Sequence, residues 1–240
     1  MSKHAIAMCD ILGFSDLVQE KPLDSVVQDH LGWLRKAAHH SVHKGEFPSE
    51  LPSLRALRDQ SHLGIAWFSD TILIYTLEDT DENVRALTSS LGWLLFETML
   101  EVDTRLRCGV SYGEAFIDAE NSIYVGQPLI EAHRLEQSQE WSGGALTREV
   151  VEHLPADVRA GKYRDWFLVP YSVPLKDGKT LETLAVNWTI GAHRDLELPW
   201  SQTHATPPKE EWENEKRRDI CEKWQNTKLF HERVCKFCRH

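Results

Sequence analysis

Asp10-Ile11-Leu12-Gly13-Phe14-Ser15, at the end of the apolar run Ala5-Ile6-Ala7-Met8-Cys9, is the stretch whose reading decides the fold. A strand that buries its side chains and ends in a carboxylate puts that carboxylate at the strand's carboxyl edge, a usual place for a ligand in open α/β sheets. Gly13 lets the backbone turn tightly, and a helix beginning near Phe14 or Ser15 would point free N–H groups at an anion. A carboxylate for a divalent metal beside N–H groups for phosphates points to a nucleoside triphosphate. The bland alternative is a buried strand, a turn and an Asp that caps a helix.

Three later stretches bear on that choice. Phe68-Ser69-Asp70-Thr71 lies between the apolar runs His62 to Phe68 and Ile72 to Tyr75, which reads as a hairpin with a second acidic residue at its turn. Arg107-Cys108-Gly109-Val110-Ser111-Tyr112-Gly113-Glu114-Ala115 reads as a strand leading into a glycine turn. Tyr124-Val125-Gly126 then precedes a helical stretch containing Ala132-His133-Arg134-Leu135. In this order the segments resemble the catalytic domain of class III nucleotidyl cyclases, over roughly residues 4 to 150.

The order strand, helices, hairpin, helix, strands suggests an α+β sandwich with helices on one face of a mostly antiparallel sheet. The resemblance implies the same class, a ferredoxin-like cyclase fold, while the composition shift from Leu196 and the prolines Pro199, Pro207 and Pro208 suggest a cyclase domain over residues 1–194 and a charged, helical C-terminal extension over 195–240. Cyclising a nucleoside triphosphate needs the ribose 3′-hydroxyl to attack the α-phosphorus while pyrophosphate leaves, and two divalent cations, Mn2+ or Mg2+, serve both oxygens. By resemblance Asp10 and Asp70 are the metal carboxylates and the Ile11 carbonyl a further ligand. Gly13, Phe14 and Ser15 hold the phosphates, and Arg134 stabilises charge at the α-phosphate, a task suited to guanidinium geometry. The alternative for Arg134 is an exposed helix charge of little energetic weight.

The departures from the family are as informative. The family's ribose-orienting asparagine falls on Ile130, and its two base-reading positions fall on Ala66 and Ile123. Neither Ala66 nor Ile123 can read a purine edge by hydrogen bonds, so the signatures for adenine and guanine are both missing. That combination resembles the bacterial pyrimidine cyclases of the Pycsar anti-phage systems. The resemblance implies conversion of UTP to cyclic UMP, with CTP to cyclic CMP as the alternative, and a separate effector that responds to the product. It also implies a homodimer in which Asp10 and Asp70 of one protomer work with Arg134 of the other. Two competing readings are a purine cyclase with unusual base contacts and an inactive cyclase-like module that binds nucleotide.

The remaining chain sets bounds. Its 240 residues suffice for one sizeable core with an appendage. The net charge of −10 disfavours a general nucleic-acid binder. No apolar run approaches the ~20 residues of a membrane span, no signal peptide is read at the N-terminus, and five cysteines suggest a reducing cytoplasm. Leu23 to His43 is patterned as one helix with Val26, Val27, Leu31, Leu34, Ala37 and Ala38 inward, and His39, His40 and His43 at its solvated end. A helix starts at Thr80-Asp81-Glu82 with Val84, Leu87, Leu91, Leu94, Leu95 and Thr98 buried. Thr104 to Asn121 is read as a strand pair, and residues after Gly143-Gly144 as a short helix and a hairpin turning at Lys176-Asp177-Gly178-Lys179. Cys235-x-x-Cys238 with His231, His240 and Cys221 offers zinc ligands, although a flexible end with reduced thiols fits a lone pair of this spacing better.

Overall fold

The computed structural model describes residues 1–46, 61–100, 104–189 and 218–237. Strand β1 (Ser2–Ile11) lies at the centre of the sheet. Its Ala5, Ala7, Cys9 and Ile11 enter the main core, while Ile6 and Met8 join a smaller cluster on the opposite face. Burial on both faces is why β1 reads as a continuous apolar run rather than an alternating one. Gly13 follows at a φ of 78°, a left-handed conformation that costs glycine nothing, and helix α1 (Phe14–Glu20) starts from it.

The expected helix from Leu23 is built in pieces: α2 (Leu23–Ser25), a π-helical stretch (Val26–Leu31) and α3 (Gly32–Glu46). The wider π turn places Val26, His30 and Leu34 inward at four-residue spacing and leaves Val27 57% exposed, against the expected stripe. At the far end His40 Nδ1 lies 2.7 Å from Glu97 Oε1 in an exposed pair. The connection expected over 44 to 60 lies mostly outside the described residues.

Strands β2 (Leu63–Phe68) and β3 (Thr71–Thr76) form the expected hairpin, with Phe68 paired to Thr71 across Ser69-Asp70. Helix α4 (Asp81–Leu100) buries Val84, Leu87, Leu91, Leu94, Leu95 and Thr98, as its periodicity predicts. Two differences follow. β4 (Leu106–Asp118) is one strand of 13 residues, where a strand pair with a glycine turn was expected. Its antiparallel partner is β5 (Ile123–Gly126), and helix α5 (Gln127–Ser138) follows. Gly143-Gly144 belongs to a buried strand, β6 (Gly143–Leu146), that runs parallel to β4 from Arg107 to Val110. Helices α6 (Arg148–His153) and α7 (Ala156–Arg159) lead to the hairpin of β7 (Leu168–Pro174) and β8 (Thr180–Val186). Helix α8 (Arg218–Phe237) packs Phe230 and Val234 into the main core. The boundary expected after residue 194 lies outside the described residues, as do the side chains of Cys235, Cys238 and His240.

Among the described residues the strand order is β2-β3-β1-β4-β6-β8-β7, with β5 pairing β4 and only the β4–β6 ladder parallel. Helices α3 and α4 cover the main core. The expectation of helices on one face fails for α5, which lies across the opposite face against β1 and β4. Gly109 allows this: a Cβ there would sit 2.1 Å from Ala132 O and 2.7 Å from Glu136 N, both backbone atoms of α5. Gly113, by contrast, has only Pro128 nearby, at 3.5 Å.

Gly109→Ala is therefore expected to destabilise the fold by about 3 kcal/mol, since α5 must lift from the sheet. Gly113→Ala should cost under about 1 kcal/mol. Urea denaturation of the two variants checks the contrast.

Candidate active site

Register brings Asp10 and the turn that carries Asp70 to one edge. Asp10 pairs with Thr71 on one side and Arg107 on the other, so the Asp70 turn adjoins the end of β1. The Thr71 hydroxyl donates to Asp10 Oδ1 at 3.3 Å. Ser69 takes a φ of 58°, the positive value that the first residue of a two-residue hairpin turn favours, and Asp70 follows it half-buried. The β1–β3 ladder ends at Asp10, one residue before Ile11. Leu12 N–H donates to Arg105 O at 2.9 Å, fixing the turn that Gly13, Phe14 and Ser15 continue. Phe14 packs against the core, whereas Gly13 and Ser15 are exposed. The opening N–H groups of α1 have no helical acceptors, by the geometry of any helix start.

Two residues that sequence reading missed complete the floor. Arg107 is 5% exposed and Glu136 1%. Arg107 Nε and Nη2 both lie 2.6 Å from Glu136 Oε1, and Nη1 donates to Gln139 O at 3.0 Å. An arginine at an inward position of an apolar strand was the available signal, because a buried guanidinium demands an acidic partner.

Burial pushes the Asp10 carboxyl up to about 6, and the charges of Glu136 and Asp70 add to the rise. Arg107 and the Thr71 hydroxyl oppose it. The end of β1 thus carries more negative charge than the single guanidinium offsets, an environment a cation would relieve. Among the described residues, no group of three or more His, Cys, Asp and Glu is arranged to hold a metal by itself. Asp10, Asp70 and the Ile11 carbonyl are the protein groups placed to contribute.

Arg134 is exposed. Ala132 and Glu136 face the sheet, and a residue two positions from each points to the other side of the helix. Ile130, 47% exposed, lies one turn from Arg134 on that outer side.

Ala66 is buried in the smaller cluster with Ile6, Leu73, Tyr75 and Ala115. Tyr124 packs on this cluster, its ring centroid 5.9 Å from that of Tyr75 and 5.6 Å from that of Phe68. Burial and the hydrogen-bonded hydroxyl of Tyr124 raise the Tyr75 phenol above its ordinary value. Ile123, 44% exposed, does not join the cluster, because successive residues of β5 face opposite ways. Tyr124, one residue along, had not been singled out from the sequence.

No family model matches the chain, and no curated protein matches it in sequence. Solved structures do. The catalytic core of a rhodopsin-guanylyl cyclase with converted specificity, in complex with ATPαS, aligns at a TM-score of 0.53 and 12% identity, over 77% of this chain and 94% of that one. A bacterial light-regulated adenylyl cyclase gives 0.45 and 16% over 79% and 94%, and an adenylate/guanylate cyclase/hydrolase from Silicibacter pomeroyi gives 0.45 and 14% over 76% and 95%. The first of these carries the conclusion: the chain has the α+β fold of class III cyclase catalytic domains.

The charge at Asp10 predicts a pH dependence. With an ordinary value of 3.8 unfolded and about 6 folded, the native state holds the extra proton between those values, so stability falls as pH rises through that window. In chelator, Asp10→Asn should then melt about 3 °C above wild type at neutral pH, a shift kept small by the partial exposure of Asp10, and match it near pH 4. Mn2+ should raise the melting temperature of wild type and leave that of Asp10→Asn nearly unchanged.

Proposed function

We propose that the protein is a nucleotidyl cyclase that converts a pyrimidine nucleoside triphosphate, UTP in the first instance, to its 3′,5′-cyclic monophosphate and pyrophosphate. The observation that carries this reading is the meeting of Asp10 and Asp70 at the end of β1, beside the Gly13 turn, in a cyclase fold. A bound Mn2+ or Mg2+ pair would activate the attacking 3′-oxygen and neutralise the leaving pyrophosphate. Asp10, Asp70 and the Ile11 carbonyl are the protein groups that would hold it. The turn Gly13-Phe14-Ser15 accepts the β- and γ-phosphates on backbone N–H groups. Arg134 places its guanidinium on the oxygens of the α-phosphorus, where charge builds as the new P–O bond forms and the bond to pyrophosphate breaks.

The outward position of Arg134 supports a homodimer with composite sites. A guanidinium on the far side of α5 serves another protomer's carboxylates more readily than its own, and Ile130 offers an apolar contact beside it. The aromatic group over Ala66 supports the pyrimidine assignment. Tyr124 and Phe68, backed by the buried Tyr75, crowd the surface where the family reads the base, which favours the smaller ring, and the Tyr124 hydroxyl can bond a pyrimidine edge. CTP remains the second reading, because a hydroxyl both donates and accepts. The resemblance to Pycsar cyclases supports a role in anti-phage signalling through an effector that binds the product. Among the described residues no helix is long and apolar enough to cross a membrane.

Incubation of the purified chain with Mn2+ and each ribonucleoside triphosphate separately, with products resolved by chromatography and mass, tests this. Cyclic UMP or cyclic CMP is expected, with Asp70→Ala reducing the rate by at least about a hundredfold. Cyclic AMP or cyclic GMP as the main product would overturn the base assignment. A rate unaffected by Asp70→Ala would overturn the metal role.

A further inference from the structure

Helix α8 has no place in the chemistry above, yet it meets the sheet beneath the site. Phe230 inserts among Trp141, Tyr171 and Trp188, with ring centroids at 4.8, 4.9 and 6.1 Å, which anchors the helix. Along its length α8 then grips the chain segments that lead into the site. Ser142 N–H donates to Thr227 Oγ1 at 2.8 Å, and the Ser142 hydroxyl donates to Leu106 O at 2.9 Å, next to Arg107. Asn226 Nδ2 donates to Glu140 O at 2.7 Å, close to the Gln139 carbonyl that receives Arg107.

The contact of most consequence involves Trp224. The Arg105 guanidinium lies over its indole ring, 4.8 Å from the centroid. Arg105 is 6% exposed, and its Nη1 also donates to Thr98 O at 2.8 Å and Thr104 O at 3.0 Å, so the residue is held from several sides. Its own carbonyl accepts from Leu12 N–H, the first backbone group of the Gly13 turn. A chain of direct contacts therefore runs from α8 through Arg105 to the turn: indole, guanidinium, backbone, Leu12.

We infer that Trp224 is a positioning residue of the site, and that α8 braces the Leu12–Ser15 turn through Arg105. The brace acts on the turn's order, so its loss weakens capture of the phosphates before it alters the bond-making step. Its role in phosphate binding rests on the function proposed above; its mechanical part does not. Two measurements on the full chain keep these apart. The first is amide hydrogen exchange of the segment from Ile11 to Leu17, which Trp224→Ala should speed roughly five- to tenfold, between the values for exposed and fully buried cation–π contacts, since Trp224 is partly buried. Trp224→Phe should recover most of the protection, and Leu229→Ala, at a residue 57% exposed on the same helix, should change nothing at the turn.

The second is calorimetric titration with inorganic tripolyphosphate in Mn2+. Trp224→Ala should weaken its binding by about the same factor and raise KM for the triphosphate more than it lowers kcat. Exchange at the turn equal to wild type in folded Trp224→Ala would overturn the brace. Should Trp224→Ala not fold, unchanged exchange in both Trp224→Leu, which keeps apolar bulk but loses the aromatic face, and Arg105→Lys, which loses the planar stacking, would overturn it equally. Faster exchange with undiminished tripolyphosphate binding would overturn the positioning role. Faster exchange in a chain whose wild type binds no tripolyphosphate would uphold the brace and count against the proposed function instead.

Discussion

The ion pair between Arg107 and Glu136 is the interaction on which the site depends. It joins β4 to α5 at the level where β1 ends in Asp10, under a helix brought close by the missing side chain of Gly109. Removing one member of such a pair strands a charge in the core, at a cost of about 3–5 kcal/mol. The pair also fixes the rotation of α5. With Glu136 turned to the sheet, Arg134 must face outward, which is the orientation the proposed composite site requires.

The same pair accounts for the electrostatics. Glu136 is spent on Arg107, so its guanidinium only partly offsets the charge at Asp10, and burial with the adjacent Asp70 leaves that carboxyl reluctant to ionise. A carboxylate cluster of this kind costs stability in the empty protein and is relieved by a cation. A cation bound there would couple its binding to folding, and the left-handed Gly13 turn opens helix α1 three residues after Asp10.

Much of this was legible from local chemistry. Asp10 ends a buried strand, Gly13 takes the left-handed turn, and the Phe68–Thr71 hairpin sets Asp70 beside β1, each as the residue types require. β4 was misjudged because its glycines look like punctuation, whereas Gly109 serves a close approach of α5 and Gly113 simply continues the strand. β6 escaped notice for a related reason: a glycine pair in a strand fully covered on both sides has no alternation to detect. The face taken by α5, and the assembly of Tyr75, Tyr124 and Phe68 over Ala66, depend on pairing between distant strands. No window along the chain contains that information.

The central claim is that the carboxylates and the guanidinium of one working site come from different protomers. Mixing an Asp10→Ala chain with an Arg134→Ala chain, under conditions that allow subunit exchange, tests it most directly. Each variant alone should be inactive, and the mixture should recover about a quarter of wild-type activity, because half the dimers are mixed and each carries one intact site. Absence of recovery, with both variants folded and exchanging subunits, would contradict the composite site and return Arg134 to an ordinary exposed helix charge.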